Sequence, residues 1–179
     1  MCFEKSRGLS LNVPLNVYMT SDDFRRITEQ QGWKSNANLL LNEASPTVDT
    51  LAAFDSYWTV AGHHVREQIA DDQLLVRLLR RLLPPYEGGV QTLFRGENRD
   101  RWERGAVGFA WTPDASVARM FGRGLNANSF GGVLLKCTFI SAAIICGPNS
   151  HSRHLGENQY TVDPFQCRDI LILESYPRC

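Results

Sequence analysis

A pair of prolines, Pro84-Pro85, divides this chain into two halves that keep different periods. Upstream, apolar residues recur at helical spacing; downstream, short runs rich in β-formers alternate with glycine, proline and asparagine. Proline bars the residue before it from helical geometry, so no helix crosses this point. The expectation is an α+β fold, with a helical lobe over residues 1–88 and a set of short strands over 89–179. With 179 residues the chain has enough length for one substantial core and too little for two ordinary domains, so both parts belong to one folding unit.

In the first half, Leu74, Leu75, Leu78, Leu79, Leu82 and Leu83 form one stripe, with Arg77, Arg80 and Arg81 largely opposite. This predicts a helix from Asp71 to Leu83. Another is predicted to open at Ser45-Pro46, with serine as cap and proline at the first helical position. It carries Leu51, Phe54, Trp58 and Val65 on one face. Thr20-Ser21-Asp22-Asp23 opens a shorter helix ending near Gly32. Asn38-Leu39-Leu40-Leu41 is too short to assign, and Leu11 to Tyr18 reads as an extended arm interrupted by Pro14.

In the second half, strands are expected near 91–95, 107–111, 132–140, 142–146, 159–163 and 169–174. One helix is expected near 113–121, packed through Ala115, Ala118, Met120 and Phe121. Gly122-Arg123-Gly124-Leu125-Asn126-Ala127 has a superficial likeness to a dinucleotide glycine signature. It closes a helix and leads into a strand, the reverse of what that signature requires. The run 122–132 therefore reads as a loop.

Composition removes several classes. Lysine plus arginine equals aspartate plus glutamate at 19 each, so the basic excess of a nucleic-acid-binding module is missing. Cys2, Cys137, Cys146, Cys167 and Cys179 are odd in number and share no Cys-x-x-Cys spacing, which suits reduced thiols in a cytoplasmic protein. No apolar run approaches the ~18 residues of a membrane span, and the first residues lack a signal-peptide core. His151 and His154 have no further ligands nearby, so no metal is expected. His63-His64 falls on the second helix without a sharper signal.

Three short motifs follow one another in the second half: Phe94-Arg95-Gly96, Gly108-Phe109-Ala110-Trp111-Thr112-Pro113-Asp114, and Glu157-Asn158-Gln159-Tyr160-Thr161-Val162-Asp163-Pro164. Guanidinium suits two phosphate oxygens at once, and Gly96 permits close backbone approach by a ligand. The bland reading of Arg95 is a surface pair with Glu97 or Asp100. Thr112 is placed to cap the following helix, and Trp111 has the character of a core residue.

In order and spacing these motifs resemble the ADP-ribosyltransferase family of the Arg-Ser-Glu type, in particular its small prokaryotic and phage members. There the motifs run Tyr-Arg-Gly, Gly-x-Ser-Trp-Thr and Glu-x-Glu-aromatic-x-Val-Asp-Pro. The resemblance implies a split β-sandwich core, NAD as ADP-ribose donor, and an acceptor that is a protein or nucleic acid. It implies a toxin or phage–host conflict effector, which an antitoxin or inhibitor would restrain, with no membrane partner. Arg95, Gln159 and Glu157 would be the catalytic set, with Arg95 on the phosphates, Gln159 on the ribose and Glu157 toward the acceptor. Gly96, Ala110, Trp111, Thr112, Phe121, Asn128 and Phe130 would complete the NAD contacts.

Two positions depart from the pattern. Ala110 stands where the family has serine, and Gln159 stands where it has the catalytic glutamate. Three readings of Gln159 remain open: an isosteric substitution introduced into an intact motif, a natural loss of catalysis, or a transfer of the role to Glu157. The intact surroundings favour the first. The alternative function is a catalytically degenerate module binding a nucleotide or a partner protein.

Overall fold

The computed structural model describes residues 15–42, 44–124, 126–127 and 130–178. Its elements in chain order begin with β1 (Leu15–Val17), α1 (Ser21–Glu29), α2 (Trp33–Asn42), β2 (Ala44–Pro46), α3 (Val48–Ile69) and α4 (Asp72–Leu82). After Pro84-Pro85 come β3 (Gln91–Asn98), α5 (Arg99–Glu103), β4 (Ala110–Trp111), α6 (Ala115–Arg123) and β5 (Gly132–Phe139). The chain ends with β6 (Ile144–Cys146), α7 (Ser150–His154), β7 (Tyr160–Val162) and β8 (Leu171–Tyr176). The fold is α+β, with two antiparallel three-stranded sheets ordered β3-β5-β8 and β4-β7-β6. Among the described residues no helix is long and apolar enough to cross a membrane.

Thr20 caps α1 in a reciprocal box with Asp23, as the hydroxyl and carboxylate spacing predicts. The unassigned run 38–41 is helical: Trp33, Ala37 and Leu40 bury one face of α2, and Leu39 faces solvent. Ser45-Pro46 does not open a helix. Ala44–Pro46 pairs in parallel with Leu15–Val17, and Thr47 caps α3 instead by accepting from Thr50 N at 3.2 Å. The extended backbone needed for that pairing displaces the helix start beyond the proline. Of the arm expected over 11–18, residues 11–14 lie outside the described residues.

The stripe of α4 packs with Phe24, Trp33, Phe54 and Trp58 in a core that also takes Phe109, Ile145 and Cys146 from beyond the prolines. Two polar ties reinforce this junction. Trp58 Nε1 donates to Thr161 Oγ1 at 2.9 Å in a buried setting, and Arg80 donates to Ala142 O at 3.0 Å and Asp163 Oδ2 at 3.1 Å. Helix and sheet halves therefore share apolar interior rather than touching at a wet seam.

The second core lies between the two sheets. Leu93, Val133, Leu135, Cys137 and Phe139 meet Trp111, Ile144 and Val162 there, with the Trp111 and Phe139 rings 5.0 Å apart. On the outer face of β3-β5-β8, α6 lies against the sheet backbone. A Cβ on Gly96 would collide with Ala118 O and Gly122 N, and one on Gly132 with Gly122 O. The close approach at Gly96 is thus made by a helix, and the same glycine also lines the cleft described below. Met120, expected on the packing face of α6, is exposed, because Gly122 occupies that face with Ala118.

Candidate functional site

Among the described residues one isolated bridge joins the two sheets, in which Phe94 N donates to Thr112 O at 2.7 Å and Thr112 N to Phe94 O at 2.9 Å. Beside this bridge opens a cleft of about 630 Å³, within the usual size of a small-molecule site. Arg95 and Gly96 reach it from β3, Ala110 to Thr112 from β4 and its end, Phe121 from α6, and Glu157 and Gln159 from the segment entering β7.

Alternation along β3 places residues 95 and 97 on one face. Arg95 Nε donates to Glu97 Oε2 at 2.7 Å, and Nη1 donates to Ala110 O at 2.5 Å. Glu97 is fully buried and also accepts from Gly108 N at 2.8 Å and Asn98 N at 2.9 Å. Burial pushes its carboxyl up, but the charge and hydrogen bond of Arg95, the charge of Arg101 and the Gly108 N–H outweigh it and hold it below the usual range. The Arg95–Glu97 pair is therefore internal, not the surface pair that the sequence allowed. Its two bonds leave three of the five guanidinium N–H groups without an acceptor among the described residues. A Cβ on Gly108 would fall on the Arg95 guanidinium, so glycine at 108 is what makes room for it.

Trp111 is a core side chain, 1% exposed, with Nε1 donating to Gly108 O at 3.0 Å. Thr112 does not cap α6. Its hydroxyl accepts from Asp114 N at 3.2 Å, and Asp114 caps the helix through Ser116 N and Val117 N. The cap moves two residues on because Thr112 is still held in the bridge to Phe94.

Glu157 and Gln159 arrive by a turn that precedes β7. Glu157 N and Asn158 N both donate to Ser152 O, at 2.9 and 3.2 Å, and Asn158 is left-handed with φ 45°. Ala110 pairs with Thr161 and Trp111 with Tyr160. Continuing that register by one residue sets Thr112 across from Gln159. Neither the Glu157 carboxylate nor the Gln159 amide has a hydrogen-bond partner among the described residues.

Not every expected contact reaches the cleft. Phe130 is exposed and lines neither this cleft nor the smaller cavity beside it. Its neighbour Gly131 is held by donating its N–H to Ala127 O at 3.0 Å. Asn128 lies outside the described residues. Asn126 lines the cleft, but its amide is committed to Gly96 O at 2.7 Å.

The sequence reading missed one wall. Thr59, Val60 and His63 of α3 and Leu155 after α7 also line the cleft. Their signal was faint: Thr59 and His63 stand four apart, one position round the helix from the apolar stripe that holds Phe54 and Trp58. Burial and then the neighbouring His64 push the His63 pKa down, with Glu67 opposing. Asn149 fixes α7 to α3 by donating to Asp55 O at 3.0 Å and Thr59 Oγ1 at 2.9 Å. Comparison of the chain with protein-family models, curated proteins and solved structures gives no match.

The cleft thus offers a guanidinium with spare donors, an aromatic edge, an amide and a carboxylate on a partly apolar floor. That set can hold a phosphate ester and a sugar hydroxyl, with a carboxylate beside them.

Proposed function

We propose that this cleft binds NAD and that the chain is an ADP-ribosyltransferase of the Arg-Ser-Glu type, acting on a macromolecular acceptor in the cytoplasm as a toxin or conflict effector. The observation that carries the reading is the convergence of Arg95, Thr112, Glu157 and Gln159, from three separate motifs, on one cleft at the seam of the two sheets. Two small antiparallel sheets packed face to face are compatible with a split β-sandwich core. In this reading Arg95 holds the diphosphate, Gln159 the ribose 2′-hydroxyl, and Glu157 the acceptor nucleophile.

Ala110 and Gln159 favour a second reading. Neither the hydroxyl nor the carboxylate that the family uses for bond cleavage is present at these positions, which suits a module that binds a nucleotide or a partner protein without reaction.

Calorimetric titration with NAD tests the first reading. Arg95→Lys keeps a positive partner for Glu97 and loses the planar fork. It should weaken NAD by about 1.5–3 kcal/mol, the range for a charge-assisted hydrogen bond. No NAD affinity in the chain or in Gln159→Glu would leave the partner-binding module as the reading.

A further inference from the structure

A second cavity of about 190 Å³ shares Arg95 with the cleft and is not lined by Glu157. It is smaller than a usual ligand pocket and several times the volume of one water, so it suits a small group rather than a whole ligand. Arg95, Ala110, Gln159 and His63 line both cavities. Arg66 and Arg101 line the second alone.

Three guanidiniums therefore surround a small space, and their compensation is incomplete. Arg66 is matched by Asp72, with bonds of 2.8 and 2.6 Å. Arg95 and Arg101 share a single carboxylate, Glu97. Arg101 Nε stands 3.8 Å from Glu97 Oε1, beyond hydrogen-bond distance, and Arg101 has no hydrogen-bond acceptor among the described residues. The pocket thus keeps one positive charge in excess and at least two guanidinium forks with unused donors. Arg66 Nη1 is also buried without an acceptor, its guanidinium 5.2 Å from the centre of the Phe109 ring. Lone donors out of water are costly, and an oxyanion with several acceptor oxygens relieves them together.

We propose that this pocket is an oxyanion subsite for a phosphoryl group, held between Arg95 and Arg101 with Arg66 as its charged back wall. The subsite stands on its own residues and does not require NAD in the main cleft. Two sources can deliver the group: the diphosphate of a dinucleotide in that cleft, or a phosphorylated second substrate approaching Gln159 from the opposite side.

The test is calorimetric titration of the full chain with inorganic phosphate in chloride buffer, beside Arg101→Gln and Arg101→Lys. Arg101 is partly exposed, so both variants should fold, which thermal melting checks. Phosphate should bind the parent, more weakly as salt rises. Arg101→Gln should lose at least about tenfold in affinity, and Arg101→Lys less. NAD titration is then repeated at saturating phosphate. Lost NAD affinity assigns the subsite to the dinucleotide's own diphosphate, and unchanged affinity assigns it to a second, phosphorylated substrate. No phosphate binding, or equal binding in the parent and Arg101→Gln, overturns the subsite even if NAD binds. Phosphate binding without NAD binding sinks the NAD reading alone.

Discussion

Arg95 and Glu97 face each other across 2.7 Å with the carboxylate wholly out of water. Such a pair is costly to break, because the partner left behind keeps a buried charge without compensation. Glu97→Gln should therefore destabilise the fold by about 3–5 kcal/mol at neutral pH, read by urea denaturation. The Glu97 pKa is depressed on folding, so its contribution is present above the unfolded value of about 4.3 and is lost as pH falls through the lower folded value. The parent should approach Glu97→Gln in stability as the solution is acidified below pH ~4. A gap unchanged between neutral and acid pH would show that the charge of Glu97 contributes nothing.

Two glycines on this site should respond differently to alanine. At Gly96 the new methyl meets backbone atoms of α6, which move only with the helix. Overpacking of this kind costs about 1–3 kcal/mol, so Gly96→Ala should lower the melting temperature with or without ligand. At Gly108 the methyl meets the end of the Arg95 side chain. Gly108→Ala should displace the guanidinium from Glu97 as well as from the cleft, so it should weaken phosphate and NAD binding and also cost stability through the disturbed pair, whereas Gly96→Ala should leave binding largely intact. Unchanged phosphate and NAD binding in Gly108→Ala would remove the role given to Gly108.

The join between the helical half and the sheets rests on Trp58 as much as on area. Trp58→Phe keeps most of the ring and removes the donor to Thr161 Oγ1. Leaving a buried hydroxyl unmatched should cost about 1–3 kcal/mol, measured by chemical denaturation. Residues 86–179 alone should be poorly soluble, since the surface around Phe109, Ile145 and Cys146 loses its cover. A monomeric, well-folded fragment would contradict this.

How much of this was legible in the chain can be judged from single positions. The leucine stripe of α4 and the strand around Arg95 follow from period alone, because burial on one face leaves a repeat in the sequence. The start of α3 did not follow, since Ser45-Pro46 is an equally good helix opening until strand β1 claims its backbone. Thr112 failed as a cap for a similar reason: a bridge to a residue 18 positions away outbids a local preference. Phe130 and the α3 wall of the cleft depend on where a turn and a helix face point in three dimensions, which no local spacing records.

Cysteine reactivity is a separate check on the cores. Burial first, then the nearby Asp55, pushes the Cys146 thiol up to about 12. Burial, with Cys137 and Asp163 adding and Arg95 opposing, brings Cys167 to about 12 as well. The thiolate is the nucleophile, so at pH 8 both should alkylate more slowly than a free thiol of pKa ~8.5, the buried Cys146 more so than the half-buried Cys167. Mass spectrometry of labelled peptides should show them blocked in the native chain and reactive in urea. Rapid native labelling of Cys146 would mean that its core opens readily.

Gln159→Glu is the change that separates an enzyme from a binding module. Both side chains can accept a hydrogen bond from a ribose hydroxyl, so NAD affinity should change little. Only the carboxylate gains energy as positive charge develops at the anomeric carbon, so the effect belongs in the rate of bond cleavage. That rate should rise by roughly a hundred- to a thousandfold, the scale of one preorganised electrostatic stabiliser. Ala110 offers no hydroxyl to fix the new group, and Gln159 itself has no partner among the described residues, which sets the expectation toward the lower end. Glu157→Gln in the Gln159→Glu background should spare NAD hydrolysis and reduce transfer to an acceptor, because Glu157 reaches the cleft from the turn before the strand and is the carboxylate that the proposed reading assigns to the acceptor. If Gln159→Glu binds NAD and cleaves it no faster than the parent, the cleft is a binding site, and Arg95 serves recognition alone.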